Sequence, residues 1–183
     1  MKKIYYFLFL LTGVLSMTSC LKDDNDYVDY EAWRVENEAF FNHKKDSIDP
    51  ETKEPYYKEI ASLPYPEYKV LYHEITPGKE GGRIPFYTST VKVDYSGHLF
   101  NTQNPFDQQT GSLFKISDAG LINGWKTVLQ QMPEGAKWEV IIPWQLAYGI
   151  NGSLPKIPPY SALVFTIDLV EITKWEVGRG LTE

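Results

Sequence analysis

Six side chains between residues 95 and 165 have types that could share a site: Tyr95, Phe106, Asp107, Trp125, Tyr148 and Phe165. Five carry aromatic rings and one a carboxylate. No nucleophile, metal-ligand cluster or phosphate-binding loop stands among them. His43, His73 and His98 are widely scattered without ligand spacing, and read as surface or structural residues. Rings with a few polar groups suit an apolar concave pocket with a polar rim, a site that binds and orients an apolar group. Taken singly, the same rings are also what an ordinary core uses.

The pieces between these residues recur at fixed intervals. Val91, Val93, Tyr95, Gly97 and Leu99 alternate, and Phe106-Asp107 follows. Then come Leu121-Ile122-Asn123-Gly124-Trp125, Gly135, Ile142-Pro143, Ala147-Tyr148-Gly149, Ile157-Pro158-Pro159, and Leu163, Phe165, Ile167 and Leu169. In this order and spacing, residues 91–171 resemble an FKBP-type peptidyl-prolyl cis-trans isomerase domain. The resemblance implies an α+β fold, a twisted antiparallel β-sheet wrapped on a short helix, with the site between them. It places Trp125 beneath a substrate proline ring and Tyr95, Phe106, Leu121, Ile122 and Phe165 in the walls. Ile157 would cap one side, Tyr148 would reach the substrate carbonyl, and Asp107 would sit on the rim, paired with Tyr95. The family's activity needs no cofactor and no metal. Its clients are proline-containing polypeptides, and macrolide inhibitors of the family are a further expected class of ligand.

Such chemistry breaks no covalent bond. An amide's partial double bond sets a rotation barrier of about 18–20 kcal/mol. For X-Pro bonds cis and trans are close in energy, yet they exchange slowly. A catalyst must bind the twisted amide better than either planar form. Twisting removes the resonance that charges the carbonyl oxygen, so an apolar pocket favours the twisted form. Asp107 then has no proton to take.

These residues must be held by surrounding elements. A strand is expected at 68–75, followed by turns at Thr76-Pro77-Gly78 and Gly81-Gly82. Further strands are expected at 91–99, 112–116, 137–143 and 162–173, with a helix over 121–130 between Gly120 and Pro133. Short strands around one helix indicate an α+β domain, here bounded at 68–174, with a tail over 175–183. Upstream, residues 27–48 read as a helix with Tyr30, Trp33, Val35, Ala39, Phe40 and Phe41 loosely on one side, stopped by Asp49-Pro50. Packing of this helix on its own domain, or a spacer role, is preferred to dimerisation. Residues 50–66, with Pro50, Pro55, Pro64 and Pro66, read as a linker within a 20–67 tether.

Composition narrows the class. Of 183 residues, 43% are hydrophobic and 23% charged, as in an ordinary globular protein. The net charge is −6, and no basic run occurs, which argues against nucleic-acid binding. Residues 1–19 start Met1-Lys2-Lys3 and run apolar from Ile4 to Met17, a secretory signal too short to span a membrane. The run ends in Leu15-Ser16-Met17-Thr18-Ser19-Cys20, which is similar to a bacterial lipobox with Met17 in place of the usual leucine. Cys20, the single cysteine, is thus expected to carry lipid and anchor the chain to a membrane; a plainly cleaved signal with a spare thiol is the alternative. Leu21-Lys22-Asp23-Asp24-Asn25-Asp26 resembles the tag that sends some Gram-negative lipoproteins to the outer face of the outer membrane, or is a solvated acidic linker facing the periplasm.

The sequence departs from the family pattern in places. Asn101-Thr102-Gln103-Asn104-Pro105 replaces the usual Asp-Gly turn, Ser112 falls near a frequent phenylalanine, and Lys156 replaces an apolar residue before Ile157. An isomerase assisting exported proteins is the leading reading. A proline-segment-binding chaperone or adaptor with little turnover is the second, and a surface lipoprotein using the fold for another ligand is the third.

Overall fold

The computed structural model describes residues 29–175. The expected signal over 1–19, Cys20, the acidic stretch 21–26 and the tail beyond Trp175 lie outside them. The elements are helix α1 (Glu31–Lys45), strands β1 (Lys58–Ala61), β2 (Lys69–Pro77), β3 (Thr90–Leu99) and β4 (Asp107–Lys115), helix α2 (Asn123–Leu129), and strands β5 (Ala136–Ile142) and β6 (Leu163–Lys174). A short 3-10 turn spans Trp144–Leu146. The strands form one six-stranded antiparallel sheet in the order β1-β2-β5-β6-β3-β4.

Alternation along the strands splits the apolar side chains between two faces. Val70, Val91, Val93, Val140, Ile142, Leu163, Phe165 and Ile167 face α2 and bury Trp125, Val128 and Leu129 against them. Leu71, Ile141 and Val164 face the other way and meet Tyr57, Phe40 and Phe41. The sheet therefore lies between α2 on one face and α1 on the other. Gly124 lets α2 sit directly on β5: a Cβ there would stand 2.8 Å from Ile142 Cδ1, well inside carbon–carbon contact.

The N-terminal helix does pack on its own domain, through Trp33, Phe40 and Phe41 of the expected side, but that side is only partly the packed one. Val35 is 52% exposed and Ala39 is exposed, whereas Asn37 is fully buried. The helix also stops earlier, at Lys45; Asp49-Pro50 lies in a separate turn in which Asp49 Oδ1 accepts the backbone N–H groups of Glu51 and Thr52. The stretch expected as a linker contributes an edge strand, β1, paired with β2 from Lys58↔Tyr72 to Ala61↔Lys69. Its prolines flank the strand rather than interrupt it. β4 starts at Asp107, earlier than the expected 112. The opposite sheet edge is exposed there, so its first residues are polar and carry no alternation. A bulge after Val93 is closed by Gly111, whose φ is +67° and whose N–H donates to Asp94 Oδ1 at 2.6 Å.

Candidate functional site

The aromatic residues singled out by spacing converge on Trp125. That ring lies in the first turn of α2, 3% exposed, packed beside Tyr95 of β3 and Phe165 of β6. Phe165 on β6 meets it edge-on at 5.4 Å and 89°, and Tyr95 on β3 at 5.0 Å and 87°. Phe106 stands edge-on to Phe165 at 5.6 Å. Edge-to-face contacts of this kind suit the ring quadrupoles and hold each ring in one orientation. Register explains why these rings meet. Gly97 is the Cα partner of Phe165 across β3·β6 and of Asp107 across β3·β4, so both walls rise beside a residue with no side chain.

The resulting pocket has a volume of about 120 Å³ and is lined by Tyr95, Phe106, Asp107, Phe114, Gly120, Leu121, Ile122, Trp125, Tyr148 and Phe165. Drug-sized ligand sites run to about 300–1,000 Å³, so this one suits a single ring. Eight of the nine expected site residues in the domain line it. Ile157 does not: it is 4% exposed and belongs to the core, and its backbone pairs with Ser153 instead of capping the opening. Phe114 was missed. Its ring lies 5.3 Å from Trp125 and 6.0 Å from Tyr95, and supplies the phenylalanine that Ser112 does not. The available signal was the period of the strand, which puts residues 112 and 114 on one face. Lys156 lies at the rim, where its Nζ donates to the Phe106 carbonyl at 2.9 Å.

Residues 82–170 match the family model described as FKBP-type peptidyl-prolyl cis-trans isomerase. A crystallised peptidyl-prolyl cis-trans isomerase from Pseudomonas syringae superposes with a TM-score of 0.67 and 33% identity, covering 80% of this chain and 98% of that one. This chain belongs to the FKBP-type family. The FKBP-type 22 kDa peptidyl-prolyl cis-trans isomerase of Escherichia coli is 43% identical over 93 residues, 50% of this chain and 45% of that protein. The outer membrane protein MIP of Legionella longbeachae is 35% identical over 94 residues, 51% of this chain and 40% of that protein. The chain thus spans about half the length of the curated relatives it matches.

In this FKBP-type site the two tyrosine hydroxyls differ. Tyr95 donates to Asp107 Oδ2 at 2.7 Å. Burial first, then that bond and the Asp107 charge, push the Tyr95 phenol up from its ordinary value. Tyr148 is 40% exposed, and its hydroxyl makes no hydrogen bond with the described residues. Burial of its phenol, helped by the Asp107 charge, also pushes its pKa up. Both groups therefore stay protonated at neutral pH, and only the Tyr148 O–H remains free to donate. Among the described residues no cluster of three or more metal-ligating side chains occurs. His73 stacks on Tyr56 at 4.1 Å and His98 Nδ1 faces the Leu99 carbonyl, both away from the pocket.

Proposed function

We propose that this protein accelerates cis-trans rotation about X-Pro bonds in polypeptides. The observation that carries the reading is a ring-sized aromatic pocket floored by Trp125, with one unspent hydroxyl, that of Tyr148, at its mouth. A proline ring enters over Trp125, between Phe106, Phe165 and the Leu121–Ile122 turn. The preceding amide lies at the rim, where water is reduced and rings replace it. There the twisted amide, with its weaker carbonyl dipole, is disfavoured less than the planar forms. The Tyr148 hydroxyl donates to the substrate carbonyl and fixes the segment. Asp107 acts on the wall rather than on the substrate, by tethering Tyr95. No step transfers a proton. The activity is tested by following cis-trans exchange of X-Pro peptides with the purified chain, with no metal or nucleotide added. Macrolide inhibitors of the family, if they bind, should compete with the peptide for the same rings.

The second reading, a holdase for proline-containing segments, draws on the loop beside Tyr148. Ile150 and Leu154 there are 59% and 63% exposed and offer apolar surface to an unfolded client. A folded protein that suppresses client aggregation but does not speed exchange would favour it. We further place the protein in the cell envelope, anchored through lipid on Cys20 at the outer membrane, with clients among exported proteins. The lipobox-like sequence and the resemblance to a relative named as an outer membrane protein support this. No helix among the described residues is long and apolar enough to cross a membrane.

A further inference from the structure

The loop that carries Tyr148 has little to hold it from within. Gly149 and Gly152 have φ of +63° and +64°, and Ile150 and Leu154 point outward. Its own ties are the short Ser153–Ile157 pairing, the Gly152 N–H donating to the Tyr148 carbonyl at 3.2 Å, and the Lys156 bond to Phe106. Its two ends, in contrast, are gripped by α1 from the far face of the sheet. At the downstream end, the Ala162 N–H donates to Asn37 Oδ1 at 2.8 Å, and Asn37 Nδ2 donates to the Trp33 carbonyl at 2.7 Å. Asn37 is fully buried, and both ends of its amide are used. Trp33 Nε1 donates to Ser161 Oγ at 3.1 Å, and that hydroxyl donates to the Pro158 carbonyl at 2.7 Å. At the upstream end, Trp144 Nε1 donates to Glu38 Oε1 at 3.3 Å.

The two ends also meet each other. The Tyr160 ring stands against Trp144 at 5.1 Å, the Tyr160 N–H donates to the Gly149 carbonyl at 2.9 Å, and the Gly149 N–H to the Trp144 carbonyl at 2.9 Å. Tyr160 has a φ of +61°, a conformation a bulky residue keeps only when its surroundings impose it. A short path of hydrogen bonds and ring contacts thus runs from α1 to the residue beside Tyr148.

We propose that α1 is a positioning element of the pocket: Trp33, Asn37 and Glu38 hold both feet of the 144–162 segment and so set where the Tyr148 hydroxyl stands. The proposal rests on the isomerase reading for its kinetic consequence, but not for its structural one. Loss of a foot leaves Trp125, Phe106 and Phe165 in place, so proline-ring binding persists while the carbonyl contact is misplaced. The effect therefore falls on kcat more than on KM. A helix that merely added stability would lower the unfolding midpoint and leave the turnover of the folded protein alone.

The test uses the full chain with Asn37→Ala, Trp33→Phe and, as a core change remote from the loop, Val70→Ala. Amide hydrogen exchange over 144–162 and the kcat and KM for an X-Pro peptide are measured for each. Asn37→Ala should speed exchange of 144–162 by about tenfold or more, with β2 and β5 unchanged. It should lower kcat by about threefold or more, with KM within about twofold. Trp33→Phe, which removes one donor and keeps a ring against Phe100, should act the same way more weakly and decides the matter if Asn37→Ala does not fold. Val70→Ala should lower the unfolding midpoint only. Wild-type loop exchange and wild-type kcat in both α1 variants would overturn the proposal, as would losses no different from those of Val70→Ala. A wild-type chain without isomerase activity would defeat the isomerase reading alone, and loop exchange would still decide the role of α1.

Discussion

Gly97 makes a sharp test of how the pocket is built. A Cβ placed there would stand 2.7 Å from Phe165 Cδ1 and 2.9 Å from Phe106 Cζ, and closer still to Phe165 Cε1. Carbon atoms in contact sit at about 3.5–4.0 Å, so Gly97→Ala forces an overlap of roughly 1 Å against two pocket walls at once. Phe106 is half-buried and can swing outward. Phe165 cannot retreat easily, because Trp125 stands edge-on behind it and is itself buried. Overpacking costs about 1–3 kcal/mol, and each lost edge-to-face pair about 0.5–1.5 kcal/mol more. A loss of about 2–4 kcal/mol is expected in urea unfolding, within the roughly 5–15 kcal/mol that domains hold, so the variant should still fold. The walls would then intrude on a pocket of only about 120 Å³, and kcat/KM for an X-Pro peptide should fall about tenfold or more. Wild-type turnover in a folded Gly97→Ala protein would mean that Phe165 and Phe106 do not form the working walls.

Other outcomes follow from the same geometry. Tyr148→Phe removes one hydroxyl and little volume, so it should cost about 0.5–1.5 kcal/mol of transition-state binding, a several-fold loss in kcat/KM, with the unfolding midpoint unchanged; a loss of stability instead would show that the hydroxyl serves the fold. Asp107→Asn keeps an acceptor for the Tyr95 hydroxyl and should change turnover by a similar or smaller factor, with no new step in the pH–rate profile; a rate that titrates with Asp107 would refute the proton-free mechanism. Turnover should be flat from about pH 6 to about pH 9, because both site tyrosines hold their protons above the ordinary phenol range near 10. Stability should then decline above about pH 10: there the unfolded phenols release protons that the folded ones keep, so the stabilisation is full below the unfolded pKa and is lost as pH rises through the folded one. Cys20→Ala should move the protein from the membrane fraction to the soluble fraction; continued membrane partitioning would exclude the lipid anchor.

Much of the pocket was legible because its residues lie on strands whose alternation is strong. Val91, Val93 and Tyr95 on β3, and Phe165, Ile167 and Leu169 on β6, all turn inward as their period requires. The Tyr95–Asp107 pairing, implied by resemblance, is present at 2.7 Å. What escaped is what lacks a period. β1 has four residues, mostly exposed, so no alternation could mark it. β4 begins with polar residues on an exposed sheet edge, and a bulge separates Phe114 from the register that Tyr95 would imply. Ile157 carries the family's spacing but is buried in the core, with its backbone paired to Ser153. The docking of α1 rests partly on Asn37, a polar residue buried where the Ala162 N–H, just before β6, needs an acceptor. A hydrophobic stripe cannot reveal such a residue, since the partner lies far away in sequence.

The most direct measurement is the rate of cis-trans exchange in a short X-Pro peptide, followed by NMR exchange spectroscopy with catalytic amounts of the purified chain. Uncatalysed exchange takes tens of seconds or longer. The expected result is acceleration proportional to protein concentration, insensitive to chelators, and sharply reduced in Gly97→Ala. A folded wild-type protein that binds the peptide yet leaves its exchange rate unchanged would contradict the isomerase reading and leave a proline-binding module in its place.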